Sequence, residues 1–428
     1  MISFRRCTAF VAGAVTVVSI AGSIPTAGAL VQIPITGPVA VATAPSIRDY
    51  DPHTVLVAFR PDVAPDVRAA LHAANGGTVA STLDFQDLDV VRLPDGVDPL
   101  GVAALYGRSA IVEFAEPNYR FVATSVPNDA SFRDLYGLHN TGQTGGTADA
   151  DVDAPEGWDL AYGPGVFPTT GGVRVGIVDT GIDRNHADVG AKTKACASAL
   201  TGLGLVTNGV CNDDNIHGTH VAGTIGAFTN NGVGVAGAAP NADLAICKAL
   251  NAAGSGLTTD IVSCIRWLRT TGGARIISMS LGSSGTTASL DKELSDSAAA
   301  GILLVAAAGN DGDSRLNYPA AHKDVMSVGA TDSKDARASF SNCNADVEIA
   351  APGVNVLSTT PGGTYMKLSG TSMATPHVAG IAAVVMWKKN LTAAQTRSAL
   401  TSSADDKGAA GRDTCFGFGR ANLANALR

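Results

Sequence analysis

Val173-Arg-Val-Gly-Ile-Val-Asp-Thr-Gly181 decides the fold. Its first six positions are almost unbroken β-forming apolar residues. A strand with hydrophobic side chains on both sides is buried on both faces, as in a parallel sheet covered by helices. Asp179 follows at once. The carboxyl ends of such strands are where the active sites of open α/β sheets lie.

The pattern repeats outward from this stretch. Apolar strand runs recur at 243–249, 275–280, 302–306 and 325–329. Helical periodicity occupies 217–227, 258–269, 290–300, 372–388 and 393–400. Strands alternating with helices give a parallel sheet with helices on both faces. Before it, 50–124 reads as a separate small unit. Strands at 53–59, 88–93 and 110–115 alternate with helices at 66–74 and 99–106, as in a ferredoxin-like α+β fold. That unit has no cysteine and no catalytic-looking polar cluster. Asp149-Ala-Asp-Val-Asp153 resembles the start of a calcium loop, but lacks the glycine and glutamate such a loop needs and reads as a solvated turn.

Composition narrows the function. The chain has 428 residues, 45% hydrophobic and 16% charged, with a net charge of −8 and no basic cluster. That supports a large core and argues against nucleic acid as a partner. Arg5 and Arg6, the apolar run to Ile20 and Ala27-Gly-Ala29 form a secretory signal over 1–29, followed by a Pro/Ala/Thr-rich linker over 30–49. The apolar run is shorter than a membrane span requires, and no other segment is long enough. The expected product is therefore extracellular, with no membrane attachment once the signal is removed. Of seven cysteines, Cys7 lies in the signal. The other six, in an exported chain, point to disulfides. Fifteen pairings are possible; the nearest-neighbour set Cys196–Cys211, Cys247–Cys264 and Cys343–Cys415 is expected.

Three residues share positions of chemical interest. Asp179 ends a strand, His217 opens a helix in His217-Gly-Thr-His-Val-Ala-Gly223, and Ser372 opens another in Gly370-Thr-Ser-Met-Ala-Thr-Pro-His-Val-Ala-Gly380. Each alone fits a dull role: loop carboxylate, surface histidine, helix cap. Together they supply the nucleophile, the base and the base-orienting acid of acyl transfer. A helix N-terminus also favours the negative charge that forms when serine attacks.

These motifs, with Ala306-Ala-Ala-Gly-Asn310, resemble those of subtilisin-like serine proteases, the subtilases. The order Asp, His, Ser matches that family, and the resemblance covers about 126–428. It implies a seven-stranded parallel sheet, a peptidase domain over 125–428 and peptide-bond hydrolysis by a monomer acting on proteins and peptides. By the same likeness Asn310 is the oxyanion-hole side chain, paired with the Ser372 backbone N–H. Substrate is expected as an added strand between Ser280, Leu281, Gly282 and Ala307, Ala308, Gly309, with Asn317 flooring the first side-chain pocket. Calcium is expected at Asp188, Asn231 and the carbonyls of Val233 and Val235, with Asp129 as an N-terminal ligand. The 50–124 unit resembles the family's propeptide, an intramolecular chaperone and inhibitor that is cut off between Phe121 and Pro127. His186, His220 and His377 are assigned structural roles, and His139 and His322 loop positions. An esterase would show a different serine elbow; a silent binding protein would lack a triad member, and none is missing.

Overall fold

The computed structural model describes residues 50–83, 87–119 and 126–428. The expected signal and linker, and residues 121–125 of the expected cleavage segment, lie outside the described residues. The described residues form two compact units, 50–119 and 126–428.

The small unit runs β1 (Tyr50–Phe59), α1 (Pro65–Ala74), β2 (Thr78–Leu83), β3 (Leu88–Arg92), α2 (Pro99–Tyr106) and β4 (Val112–Tyr119). Its antiparallel sheet has the order β2-β3-β1-β4, the ferredoxin-like arrangement. Val55, Val57, Phe59, Val91 and Tyr106 form its core. The sequence reading missed β2. Five of its six residues are exposed, so it carries no buried apolar stripe to betray it. At the core edge, buried His72 is 3.0 Å from both Asp89 and the Tyr106 hydroxyl.

The large unit runs α3 (Ala154–Tyr162), β5 (Arg174–Asp179), β6 (Thr193–Ser198), β7 (Thr207–Asn208), α4 (His217–Gly226), β8 (Asp243–Lys248), α5 (Thr258–Thr270), β9 (Ile276–Met279), α6 (Ala288–Ala299), β10 (Leu303–Ala307), β11 (Val325–Thr331), β12 (Val347–Pro352), β13 (Val356–Thr360), β14 (Thr364–Leu368), α7 (Thr371–Lys389), α8 (Ala393–Ser402) and α9 (Leu423–Leu427). The main sheet has the order β12-β11-β10-β9-β5-β8-β6-β7. Every pairing in it is parallel except that of the short edge strand β7. The expected seven parallel strands are therefore present, with one antiparallel addition.

Strand alternation explains the two layers. Val175, Ile177, Ile276 and Val305 pack with α4 and α7 on one face. Val178, Ala245, Ile277 and Leu304 pack with α5 and α6 on the other. Each large apolar side chain buried this way contributes roughly 1.5–3 kcal/mol. Helix α7 is buried from Met373 to Met386 and is the central helix of its layer. The three cysteine pairs are Cys196–Cys211, Cys247–Cys264 and Cys343–Cys415, the nearest-neighbour set. Among the described residues no helix is long and apolar enough to cross a membrane.

One expectation fails. The 149–153 segment is not a solvated turn: Asp151 is 2% exposed. Its carboxylate accepts the backbone N–H groups of Asn140 and Asp153, each at 2.6 Å. Burial and the neighbouring Asp153 push its pKa up to about 8. Buried Arg420, whose guanidinium pairs with Asp335 and Asp405, supplies positive charge nearby. The loop backbone that supplies those N–H groups has no periodic signature, so the polar run alone reads as solvated.

Candidate active site

The parallel sheet delivers its functional groups to one edge. Asp179 is the last residue of β5, Ser280 follows β9, and Ala308-Gly-Asn310 follows β10. Helices α4 and α7 begin at the same edge, with His217 and Ser372 in their first turns.

Asp179 is fully buried. Its two carboxylate oxygens lie 2.8 and 3.0 Å from His217 Nδ1, and Oδ1 also accepts the Thr180 N–H at 2.7 Å. Burial by itself would lower the His217 pKa. The Asp179 carboxylate, through charge and hydrogen bond, overrides it with help from Asp213, and the pKa is raised above the ordinary 6.5. An imidazole so held has Nδ1 committed to the carboxylate and Nε2 left for a proton.

Ser372 is fixed from both sides. Its hydroxyl donates to the Ser280 carbonyl at 3.2 Å; among the described residues no hydrogen bond joins it to His217. The Ser372 carbonyl would normally accept the N–H four residues on, but that residue is Pro376, which has none. The Ser280 hydroxyl takes the vacated acceptor at 2.8 Å. The end of β9 is thereby pinned to the first turn of α7.

Asn310 stands beside them. Its Oδ1 accepts the Thr371 N–H at 2.8 Å and the Thr371 hydroxyl at 3.0 Å. Both acceptor positions are used, so the amide Nδ2 is free to donate. A side chain at Gly370 would start 3.6 Å from both that Nδ2 and the Ser372 nitrogen. Two donors thus converge on space kept open by a missing Cβ. Thr371 escaped the sequence reading; its place between Gly370 and Ser372 was the available signal.

Of the expected substrate residues, Ser280, Leu281 and Gly282 line a cavity of about 370 Å³ together with His217. Its apolar walls include Leu250, Ile261 and Leu290, which the sequence reading did not single out. Asn317 donates to the Ala307 carbonyl at 2.7 Å. Its carboxamide occupies the space that a Cβ on Gly282 would need, and its own Cβ lies 3.1 Å from where a Cβ on Gly309 would stand. Ala308 is buried, with its N–H bonded to the Val328 carbonyl at 3.0 Å.

The remaining histidines are structural in contact. His220 Nε2 meets the Val356 and Met366 carbonyls at 2.9 and 3.1 Å, and burial lowers its pKa to about 4. Burial does the same to His377, whose Nδ1 lies 2.9 Å from the Met373 carbonyl. His186 Nε2 lies 3.1 Å from the Thr364 carbonyl. His139 stacks on Phe132, and His322 Nδ1 accepts the Asp324 N–H.

The residues expected around calcium also come together. Asp188 is 0% and Asp129 5% exposed. Asp188 accepts from Asn231 Nδ2 and the Val235 N–H, each at 2.8 Å. Asp129 accepts the N–H groups of Asn230 and Asn231. Among the described residues no Lys or Arg acts on either carboxylate; burial pushes Asp188 up to about 6 and raises Asp129. Among the described residues no hydrogen bond reaches the Val233 or Val235 carbonyls. Nor is any group of three or more His, Cys, Asp or Glu placed to hold a metal. Two uncompensated carboxylates with two unused carbonyls fit a hard cation taking oxygen ligands, not a zinc-type site.

Comparison with known proteins bears on the family and the fold. A family model described as "Subtilase family" matches residues 170–419. Another, "Fervidolysin N-terminal prodomain", matches 36–118. The chain is 35% identical to a "Thermophilic serine proteinase" of Bacillus sp. (strain AK1), over 87% of this chain and 86% of that one. It is 46% identical to "Subtilisin DY" of Bacillus licheniformis, over 55% of this chain and 85% of that one. A solved structure described as proteases from Pseudoalteromonas arctica PAMC 21717 superposes with a TM-score of 0.62 at 30% identity, covering 71% of this chain and 99% of that one.

Proposed function

The chain belongs to the subtilase family of serine proteases and carries an N-terminal prodomain; on that premise we propose that it is a secreted endopeptidase made as a self-processing zymogen. Asp179, His217 and Ser372 are the catalytic triad. The observation that carries this reading is His217 Nδ1 held at 2.8 Å by buried Asp179, at the cleft where Ser372 meets Ser280.

In the proposed reaction the Ser372 hydroxyl leaves the Ser280 carbonyl and turns to His217 Nε2. That nitrogen takes the proton as Oγ attacks the scissile carbonyl. Asp179 holds the tautomer and stabilises the imidazolium. Charge on the carbonyl oxygen is met by Asn310 Nδ2 and the Ser372 N–H, which need no reorganisation. His217 then protonates the leaving amine, and water repeats the sequence on the acyl-enzyme.

Substrate lies as a strand along Ser280–Gly282, with its acyl-side residues facing the cavity of Leu250, Ile261 and Leu290. Asn317 limits the first pocket to small or medium uncharged side chains. Replacing Asn317 with Gly should therefore raise kcat/KM for a Phe-containing peptide relative to an Ala-containing one. A calcium ion at Asp129, Asp188, Asn231 and the Val233 and Val235 carbonyls would supply charge that the two acids lack. The domain roles follow: signal at 1–29, inhibitory chaperone at 50–124, peptidase at 125–428.

The test is expression of the full chain and its Ser372→Ala variant. The native chain should release its N-terminal unit, cleave casein and be inactivated by a sulfonyl fluoride. The variant should persist uncut and inactive. A variant that matures unaided would sink the proposal.

A further inference from the structure

Asp213 takes no part in the chemistry above, yet its contacts converge on the triad. It is 5% exposed. Its Oδ1 accepts the Thr180 hydroxyl at 2.8 Å and the Asn215 N–H at 3.0 Å. Its Oδ2 accepts the Thr219 N–H at 2.9 Å and the Thr219 hydroxyl at 2.6 Å.

Each of those partners adjoins the acid or the base. Thr180 follows Asp179 and donates its N–H to the Asp179 carboxylate. The Thr180 hydroxyl oxygen accepts the N–H of Gly218, next after His217, at 2.8 Å. Asn215 Oδ1 accepts the His217 N–H at 3.2 Å. Thr219 belongs to the first turn of α4. One carboxylate therefore grips the loop after the acid and the helix turn after the base. The two segments approach closely enough that a Cβ on Gly218 would strike the Gly181 carbonyl.

Among the described residues no Lys or Arg forms an ion pair with Asp213. Neighbouring Lys248 is engaged by Asp214 at 2.6 Å and by the Thr180 and Leu250 carbonyls. The charge of Asp213 is held instead by hydrogen bonds at the start of α4, where the helix dipole favours an anion. Among the described residues, Asp179 from β5 and Asp213 from the loop before α4 act on His217, and His220 on its own helix feels its charge; the Asp214–Lys248 pair lies against the Thr180 carbonyl. Asp213 acts on the imidazole in the same direction as Asp179.

We propose that Asp213 is a second acidic positioning residue for the triad, setting the approach of His217 to Asp179 and favouring the imidazolium formed as Ser372 attacks. This rests on the protease reading above. It adds a role for a residue that never touches substrate.

The test compares mature wild-type enzyme with Asp213→Asn and Thr180→Ala. Asp213→Asn keeps the shape but loses the charge. Its kcat should fall roughly 10- to 100-fold, as expected for a misplaced general base, with KM nearly unchanged. The acid limb of its kcat/KM profile should move to lower pH. Thr180→Ala cuts the bridge from Asp213 to Gly218 but keeps the charge. Its kcat should fall while its acid limb stays in place. A folded Asp213→Asn enzyme with native kcat and an unmoved limb, differing only in melting temperature, would overturn the proposal. Should Asp213→Asn fail to fold, native kcat in Thr180→Ala would overturn it alone. A wild-type chain without peptidase activity would instead overturn the parent reading.

Discussion

Asp179 ends β5 and Asp188 lies in the loop that follows it; both are equally buried, at 0% exposure. Their surroundings differ in kind. Asp179 faces a histidine that can become a cation. Asp188 is eased by the Val235 N–H and the Asn231 amide and more weakly by His186, while burial and Asp129 work against its charge. Burial therefore does not say what a carboxylate is for; the counter-charge does. One acid is matched to a proton that comes and goes during turnover. The other, in the reading proposed above, is matched to a divalent ion.

Asp179→Asn would break the comparison most severely. Neutralising the acid that faces His217 should lower kcat about 10⁴-fold, because the imidazole loses its correct tautomer. The secondary structure, followed by circular dichroism, should be retained. Asn310→Ala should lower kcat by about 10²–10³-fold with little change in KM, since the lost donor acts only on the developing oxyanion. A KM effect of similar size would move Asn310 from transition-state binding to substrate binding.

The Asp188 side is tested by stability. With calcium at about 100 times its dissociation constant, the mature enzyme should gain about 2.7 kcal/mol over the chelated form, seen as a higher melting temperature. Asp188→Asn should erase most of that calcium dependence. A native-sized calcium shift in the variant would remove Asp188 from the ligand set. The smallest effect is one of pH. Because His217 must be neutral to accept a proton, and its pKa is raised above 6.5, activity should be lost as pH falls through that raised value. An acid limb of kcat/KM centred below 6.5 would contradict the Asp179 pairing.

The sequence made much of this legible, unevenly. Strand β5 was plain because both of its faces are apolar, and the triad was plain because each member sits in a motif at a strand or helix end. Strands β6 and β14 were not picked out, since the first mixes polar with apolar residues and the second is largely exposed; β12 and β13 were also missed, although both are short and mostly buried. Helix α3 was hidden by Asp153 at its start, which adopts a left-handed φ of 51° without a side-chain cap. Asp151 is buried under N–H groups of Asn140 and Asp153, and Asp213 ties the Thr180 loop to the start of α4. Neither has a periodic signature, because each arrangement is set by irregular loop backbone, and the Thr180 contact of Asp213 is formed only on folding.

Pro376 carries one more consequence. Ordinary helices can slide by small steps because every rung of their ladder is alike. Here one rung is missing, and the sheet has inserted its own hydroxyl at that rung. The helix is thereby keyed like a notched shaft: at this one rung the hold on the Ser372 carbonyl comes from outside the helix, so the nucleophile's turn and the end of β9 are fixed as one piece.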